Sequence, residues 1–236
     1  AQSHGDSSAQ QSASPQRAAP QSSGHEQRSS LAPQQPLPHP SAPQLYEPYV
    51  NSAYEYVELA ERAHGRIAKA PGFSYIWGDT LAEFERRRPV VRIVNLETAV
   101  TSGCNACAGK GIHYRMNPRN VPCLTAAGLD CCVLANNHTL DWGRDGLHET
   151  VRVLHAAGIK TVGAGSNLAE AREPACFDLS DRQRVLVYAC GTTDSGISVE
   201  WDATEYRPGV CVIDDLSTHA VAEIAARIAS TRRKGD

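Results

Sequence analysis

From residue 48 onward the apolar positions alternate between two periods, 3.6 and short unbroken runs. Over 48–64, Val50, Ala53, Tyr54, Val57 and Ala60 recur at helical spacing, and Gly65 ends the pattern. A second helix is expected over 79–88, where Thr80 and Glu83 have capping-box spacing just past Gly78, and Pro89 breaks it. The β-branched run Val90-Val91-Arg92-Ile93-Val94-Asn95-Leu96 then reads as a strand buried on both faces, as in a parallel sheet. The alternation continues with a short helix over 119–127 stopped by Gly128 and a strand over 130–135. A helix over 145–157 follows, with Leu147, Val151 and Leu154 on one face and Gly158 as its stop. Further strands are expected at 159–165, 184–190 and 209–213, with one or two helical turns at 167–172. A last helix, 217–232, carries Val221, Ile224, Ala225 and Ile228 on its apolar face.

Strands that alternate with helices imply an α/β fold with a mainly parallel sheet and helical crossovers. In such sheets ligands gather outside the carboxyl ends of the strands. Attention therefore falls on Asn95-Leu96-Glu97 after the first strand and Asn136-Asn137-His138 after the second.

Composition changes this picture mainly at the front. Gln, Ser, Ala and Pro fill 33 of the first 44 positions, and Leu31 and Leu37 are the only large aliphatics there. Such a stretch cannot bury enough apolar surface to offset its conformational entropy, so 1–44 is expected to be disordered and 45–236 to form one domain. The 23 Lys and Arg against 26 Asp and Glu give a net charge of −3. That balance argues against a nucleic-acid partner, because phosphate affinity rests on many basic contacts. No apolar run is long enough to span a membrane, and the tract has no apolar signal core. Several of the eight cysteines lie in apolar strand-like runs, where a free thiol acts as a small hydrophobe, which leads to the expectation of reduced thiols and a cytoplasmic setting.

The sharpest local feature is Ala-Asn-Asn-His-Thr-Leu-Asp-Trp-Gly, 135–143. Two carboxamides and an imidazole are costly to bury without partners, and at the end of a strand they can face a cleft. His138 is then a candidate general acid or ligand, with Asp141 orienting its ring. The competing reading is a polar loop whose Asn side chains make turn hydrogen bonds. Glu97, where a strand leaves the sheet, is a candidate metal-bridging carboxylate or a solvated strand cap. Cys104-x-x-Cys107 invites a zinc site with Cys131 and Cys132, but neighbours on a strand point to opposite faces. His148 and His155 share a helix face without a third ligand, and Gly163-x-Gly165 is too short for a dinucleotide fingerprint.

The segments Ala135–Thr150 and 156–174, together with Val94-Asn-Leu-Glu-Thr-Ala-Val100, Gly109–Asp130 and the stretch from Pro38 to Val50, resemble in order and spacing the CapA-type capsule and poly-gamma-glutamate synthesis family. That family is similar in fold to calcineurin-like metallophosphatases, which implies part of an αββα sandwich with a site for two divalent metal ions. On that resemblance Glu97 stands for the bridging carboxylate, Asn137 for a metal ligand, and His138 for the acid that protonates the leaving oxygen. Asp141 would orient His138, and Asn95 and Asn136 would support the site. Lys110, His113 and Arg115 would contact an anionic polymer or phosphoester substrate. The family's opening Gly-Asp strand and its closing His-rich segments have no counterpart in this sequence. The expectation is therefore an incomplete metal site with little hydrolytic turnover and self-association through an open strand edge. A non-catalytic role in polymer binding or export is the alternative.

Overall fold

The computed structural model describes residues 49–50, 53–67, 72–180 and 183–233, all within one compact unit. The tract 1–44 and residues 51–52 of the first expected helix lie outside the described residues. Three short strands pair in parallel: β1 (Ile93–Asn95), β4 (Cys131–Val133) and β5 (Lys160–Val162), in the order β1-β4-β5. Between β1 and β4 lie a small parallel pair, β2 (Ala99–Val100) with β3 (Arg115–Met116), and the helix α3 (Pro122–Ala126). The register sets Ile93 beside Cys131 and Asn95 beside Val133, and the ladder continues one step as Leu96 N–H donates to Val133 O. Parallel pairing puts the carboxyl ends of all three strands on one edge of the sheet. The architecture is mixed α/β with a parallel sheet, as the alternating pattern predicts.

The sheet is covered on both sides. On one face Cys132 joins a core of Leu96, Val100, Leu124, Leu134, Leu154 and Ile159, closed by α4 (Gly143–Ala156) through Leu147 and Leu154. Each such Leu or Ile contributes about 1.5–3 kcal/mol by leaving water. On the other face Cys131 and Val162 pack against the antiparallel hairpin of β7 (Ala175–Ser180) and β8 (Gln183–Val187) through Ala175, Phe177 and Val187. Cys131 and Cys132 thus point to opposite faces, and burial raises their thiols to about 11 and about 12, so both stay protonated. All eight cysteines are free. A second antiparallel pair, β6 (Ala164–Gly165) with β9 (Gly209–Val210), flanks the end of β5, beside the short α5 (Leu168–Arg172). No helix among the described residues is long and apolar enough to cross a membrane.

The structure departs from the sequence expectation at several elements. β1 is an edge strand among the described residues; Ile93 is 42% exposed and Val90 72% exposed, so the run is not buried on both faces. In α2 (Thr80–Arg87), Asp79 precedes the first turn without a side-chain cap bond, and Glu83 instead pairs with Arg86 and Arg87. α1 (Ala53–His64) leaves Val57 exposed. α6 (Thr218–Thr231), capped by Ser217, buries no residue fully; Ala220, Ile224, Arg227, Ile228 and Thr231 are half-covered, while Val221 and Ala225 of the expected apolar face are exposed. β2, β3 and β7 have no expected counterpart, because two-residue pairs and a hairpin arm with mixed polarity carry no clean period.

Two glycines separate backbone strain from crowding. Gly158 (φ +79°) ends α4 with open space where a Cβ would sit. Gly163 (φ +85°) follows β5, and a Cβ there would lie 2.6 Å from Ala135 Cβ and 2.9 Å from Ala189 Cβ. Gly158→Ala should cost about 1 kcal/mol for the left-handed backbone alone, and Gly163→Ala roughly 2–4 kcal/mol, measured by urea unfolding. Equal costs would show that the three strand ends are not packed as described.

A second expectation concerns acid stability. Burial pushes Glu149 on α4 up, but hydrogen bonds from Thr101 Oγ1, Ser102 N and Ser102 Oγ, with Arg152 nearby, together hold it below the usual carboxylate value. A depressed folded-state pKa stabilises above the unfolded value, near 4.5, and that stability is lost as pH falls through the folded value. Glu149→Gln should lower stability by about 1–2 kcal/mol at pH 7, with the gap to the parent closing in acid unfolding below pH 4 or so. A gap that persists unchanged to acid pH would remove Glu149 from this role.

Candidate functional site

At the carboxyl edge of the sheet the chain leaves β4 through Leu134 and turns sharply. Asn136 organises that turn. Its Nδ2 donates to Asn95 Oδ1 and to Leu96 O, both at 3.0 Å, while its Oδ1 accepts from His138 N at 3.0 Å and from Thr139 Oγ1 at 3.2 Å. Asn95 Nδ2 in turn donates to Glu97 Oε1 at 2.7 Å. One hydrogen-bonded chain thus runs from Glu97 through Asn95 and Asn136 to the backbone of His138. Parallel registration of β1 and β4 makes it possible, because it sets Asn95 level with the end of β4. Asn136 performs the turn-stabilising role of the polar-loop reading, and the same turn sets His138 in a buried position beside Asp141.

Asp141 is fully buried, and its carboxylate takes three donors. Oδ2 accepts from His138 Nδ1 at 2.8 Å and from Tyr114 N at 2.6 Å, and Oδ1 is paired with the Lys110 ammonium. Lys110 also donates to Asn137 O and stands 5.2 Å from the Trp201 ring centroid. A carboxylate oxygen at 2.8 Å from Nδ1 requires the proton on Nδ1, so that in the neutral ring Nε2 of His138 is the lone-pair nitrogen. The Tyr114 ring stacks on His138 with centroids 4.1 Å apart, fixing the ring plane. His138 is therefore oriented on two sides, by a buried carboxylate and by an aromatic face.

Lys110 faces a cavity of about 250 Å³, lined also by Cys107, Gly109, Gly196, Ser198 and Trp201. An ammonium has three N–H donors. Two go to Asn137 O and Asp141, and His138 Nδ1, 3.3 Å away, already carries a proton and cannot accept the third. The Asn137 side chain lies against Gly196, whose left-handed turn (φ +83°) leaves room for it; a Cβ there would be 3.2 Å from Asn137 Nδ2.

His113 and Arg115 have different surroundings. His113 Nε2 donates to Cys107 O at 2.8 Å, and its ring leans on Trp142. Arg115 lies over the Trp142 ring at 3.6 Å and donates to Gly103 O at 2.6 Å. Both hold the loop that carries Lys110, rather than standing free toward a substrate. Sequence reasoning missed Tyr114 and Trp201, which carry no motif, and missed that Lys110 is the partner of Asp141 across 31 residues.

The two-metal site that the resemblance implies needs several carboxylate and imidazole ligands around each ion. Among the described residues no group of three His, Cys, Asp or Glu side chains stands close enough to hold an ion. Asp141 has both oxygens occupied by protein donors, and Glu97 has one oxygen on Asn95. The described residues do not make up that site. The same absence disposes of a zinc cluster of Cys104, Cys107, Cys131 and Cys132.

The buried charge gives a direct prediction. Asp141→Asn removes the counter-charge of Lys110 and the acceptor of His138, and should cost about 3–5 kcal/mol in urea unfolding. Asn95→Ala, at the exposed end of the carboxamide chain, should cost only about 0.5–1.5 kcal/mol. Similar values for the two would show that Asp141 is not the anchor of the site.

Comparison with known proteins accords with the motifs. Residues 53–236 match the family described as bacterial capsule synthesis protein PGA_cap. A probable polyglutamine synthesis accessory protein of Mycobacterium tuberculosis is 43% identical over 201 residues, covering 85% of this chain and 53% of the relative. An uncharacterized protein of Sinorhizobium fredii is 32% identical over 148 residues, 59% of this chain and 31% of its own. The capsule biosynthesis protein CapA of Bacillus anthracis is 30% identical over 102 residues, 43% of this chain and 24% of its own. The chain spans about half the length of the mycobacterial relative. With the family match running over nearly all of the described residues, and with the Asn95-x-Glu97 and Asn136-Asn137-His138 motifs meeting at one sheet edge, the chain belongs to the bacterial capsule synthesis protein PGA_cap family.

Proposed function

We propose that this protein is an accessory component in the synthesis of a capsular, polyglutamate-type polymer, and that it acts on the polymer at His138. The observation that carries the reading is the buried Asp141, which holds His138 in one tautomer and Lys110 at the rim of a cavity. His138 Nε2 takes or returns a proton at the bound chain, and Asp141 stabilises the imidazolium that forms. The third N–H of Lys110 meets a carbonyl or carboxylate oxygen of the polymer, with Trp201 as an apolar wall beside it. The names of the mycobacterial and Bacillus anthracis relatives supply the process.

A second reading, binding or export of an anionic polymer without turnover, is favoured by the same cavity, since Lys110 and Trp201 suit retention of a chain as well as reaction on it. The test uses the whole protein in its own cell. His138→Gln keeps a polar side chain of similar reach but cannot exchange a proton near neutral pH. If His138 acts chemically, polymer output should fall to the level of a gene deletion, about 100-fold or more in rate, while the purified variant keeps its unfolding midpoint within a few degrees. If the protein only binds, output stays near normal in His138→Gln and falls in Trp201→Ala. Normal output in both variants would reject the site.

A further inference from the structure

The pair Cys104 and Cys107 has no part in the reading above, yet the structure places it against the site. We propose that these two thiols are a modification site: they form a reversible disulfide by exchange with a small-molecule disulfide, and this oxidation shifts the loop that positions Lys110 at the His138 site. The coupling rests on the His138 cluster being the working site; the disulfide itself does not.

Four observations carry the proposal. Cys104 is exposed and Cys107 half-buried, whereas Cys123, Cys131, Cys132 and Cys211 are buried. Between them the chain doubles back, as Ala106 N–H donates to Cys104 O at 3.1 Å in a three-residue turn. Neither sulfur is tightly held: Cys104 Sγ lies 3.8 Å from Ser102 O and Cys107 Sγ 3.8 Å from Ala108 O, both weak contacts. The Arg115 guanidinium, fixed over Trp142, donates to Gly103 O at 2.6 Å, in the peptide bond that leads into Cys104, so a positive charge stands beside that residue.

The connection to the site runs through Cys107. Its N–H donates to Asp141 O at 2.8 Å, its carbonyl accepts from His113 Nε2 at 2.8 Å, and it shares the cavity wall with Lys110. A disulfide needs its two Cα atoms about 4.4–6.8 Å apart and its Cβ atoms turned toward each other. Any movement of Cys107 on closure is passed to the Asp141 and His113 bonds, which its own peptide groups make, and to the Gly109-Lys110 segment that follows.

The chemistry balances without a further reactant. Deprotonated Cys104 attacks one sulfur of the small disulfide, forming a mixed disulfide and releasing one thiolate. Deprotonated Cys107 then attacks the Cys104 sulfur, closing the internal bond and releasing the second thiolate. Two protein thiols are oxidised, one small disulfide is reduced to two thiols, and the two protons pass to the released thiolates.

The test treats the whole protein with oxidised glutathione and maps it by mass. Trypsin cuts after Arg92 and Lys110, giving a peptide, 93–110, that contains Cys104 and Cys107 and no other cysteine. The expected result is loss of two hydrogens in that peptide, reversed by reduced glutathione, with movement of the His113 and His138 ring signals in NMR spectra. Cys104→Ser and Cys107→Ser should show neither the closed peptide nor the shifts. A glutathione adduct that persists on Cys104, or no reaction there, overturns the modification site. Closure with unchanged His138 and His113 signals overturns the coupling. These outcomes are read without polymer output, so they stand apart from the His138→Gln test.

Discussion

The buried carboxylate of Asp141 is the constraint on which the site depends. An unpaired charge at full burial costs several kcal/mol, so the fold must bring partners to it. They come from two stretches: the Lys110 ammonium and the Tyr114 amide from one loop, and the His138 ring from the turn after β4. Its own backbone carbonyl takes the Cys107 amide. Satisfying this one residue therefore pins the loop between β2 and β3 against the turn that follows β4. A catalytic or binding histidine benefits directly, since its ring is held by bonds that the protein requires for stability in any case.

The parallel sheet contributes by registration. Strands that run the same way end on the same edge, and this register sets Asn95 level with Val133, one step short of Leu134. Asn136 can then reach back to Asn95 and to Leu96 O while its own oxygen shapes the His138 turn. Carboxamides serve well here because each offers both donors and an acceptor, so a short chain of them leaves few buried polar atoms unsatisfied. The turn beneath is as tight as packing allows: Gly163 passes so close to Ala135 and Ala189 that no side chain fits.

Thiols in this protein divide by environment. Cys131 and Cys132 act as small core residues on opposite sheet faces, with burial holding them protonated. Cys104, exposed, and Cys107, half-buried, lie in the loop that Arg115 holds beside the His138 site. The same residue type thus carries packing in one place and a proposed control function in another.

By itself the sequence determined the alternation of strands and helices, the parallel sheet and the two motifs at its edge. These are local: β-branched runs, helical spacing and terminal glycines all act within a few residues. It also singled out His138 with Asp141, because a three-residue spacing at the end of a strand is short enough to read directly. Only the tertiary structure decided that the 90–96 run lies at a sheet edge with Ile93 exposed, because burial of a strand depends on its neighbours and not on its own composition. It alone decided that Glu83 pairs with arginines instead of capping a helix, and that the apolar face of α6 is only half-covered. The assignment of Lys110 to Asp141, of Tyr114 to the His138 ring and of Trp201 to the cavity wall likewise came from folding. Those partners are separated by tens of residues along the chain; the buried charge of Asp141 draws in Lys110, and ring packing brings Tyr114 and Trp201 beside the pair.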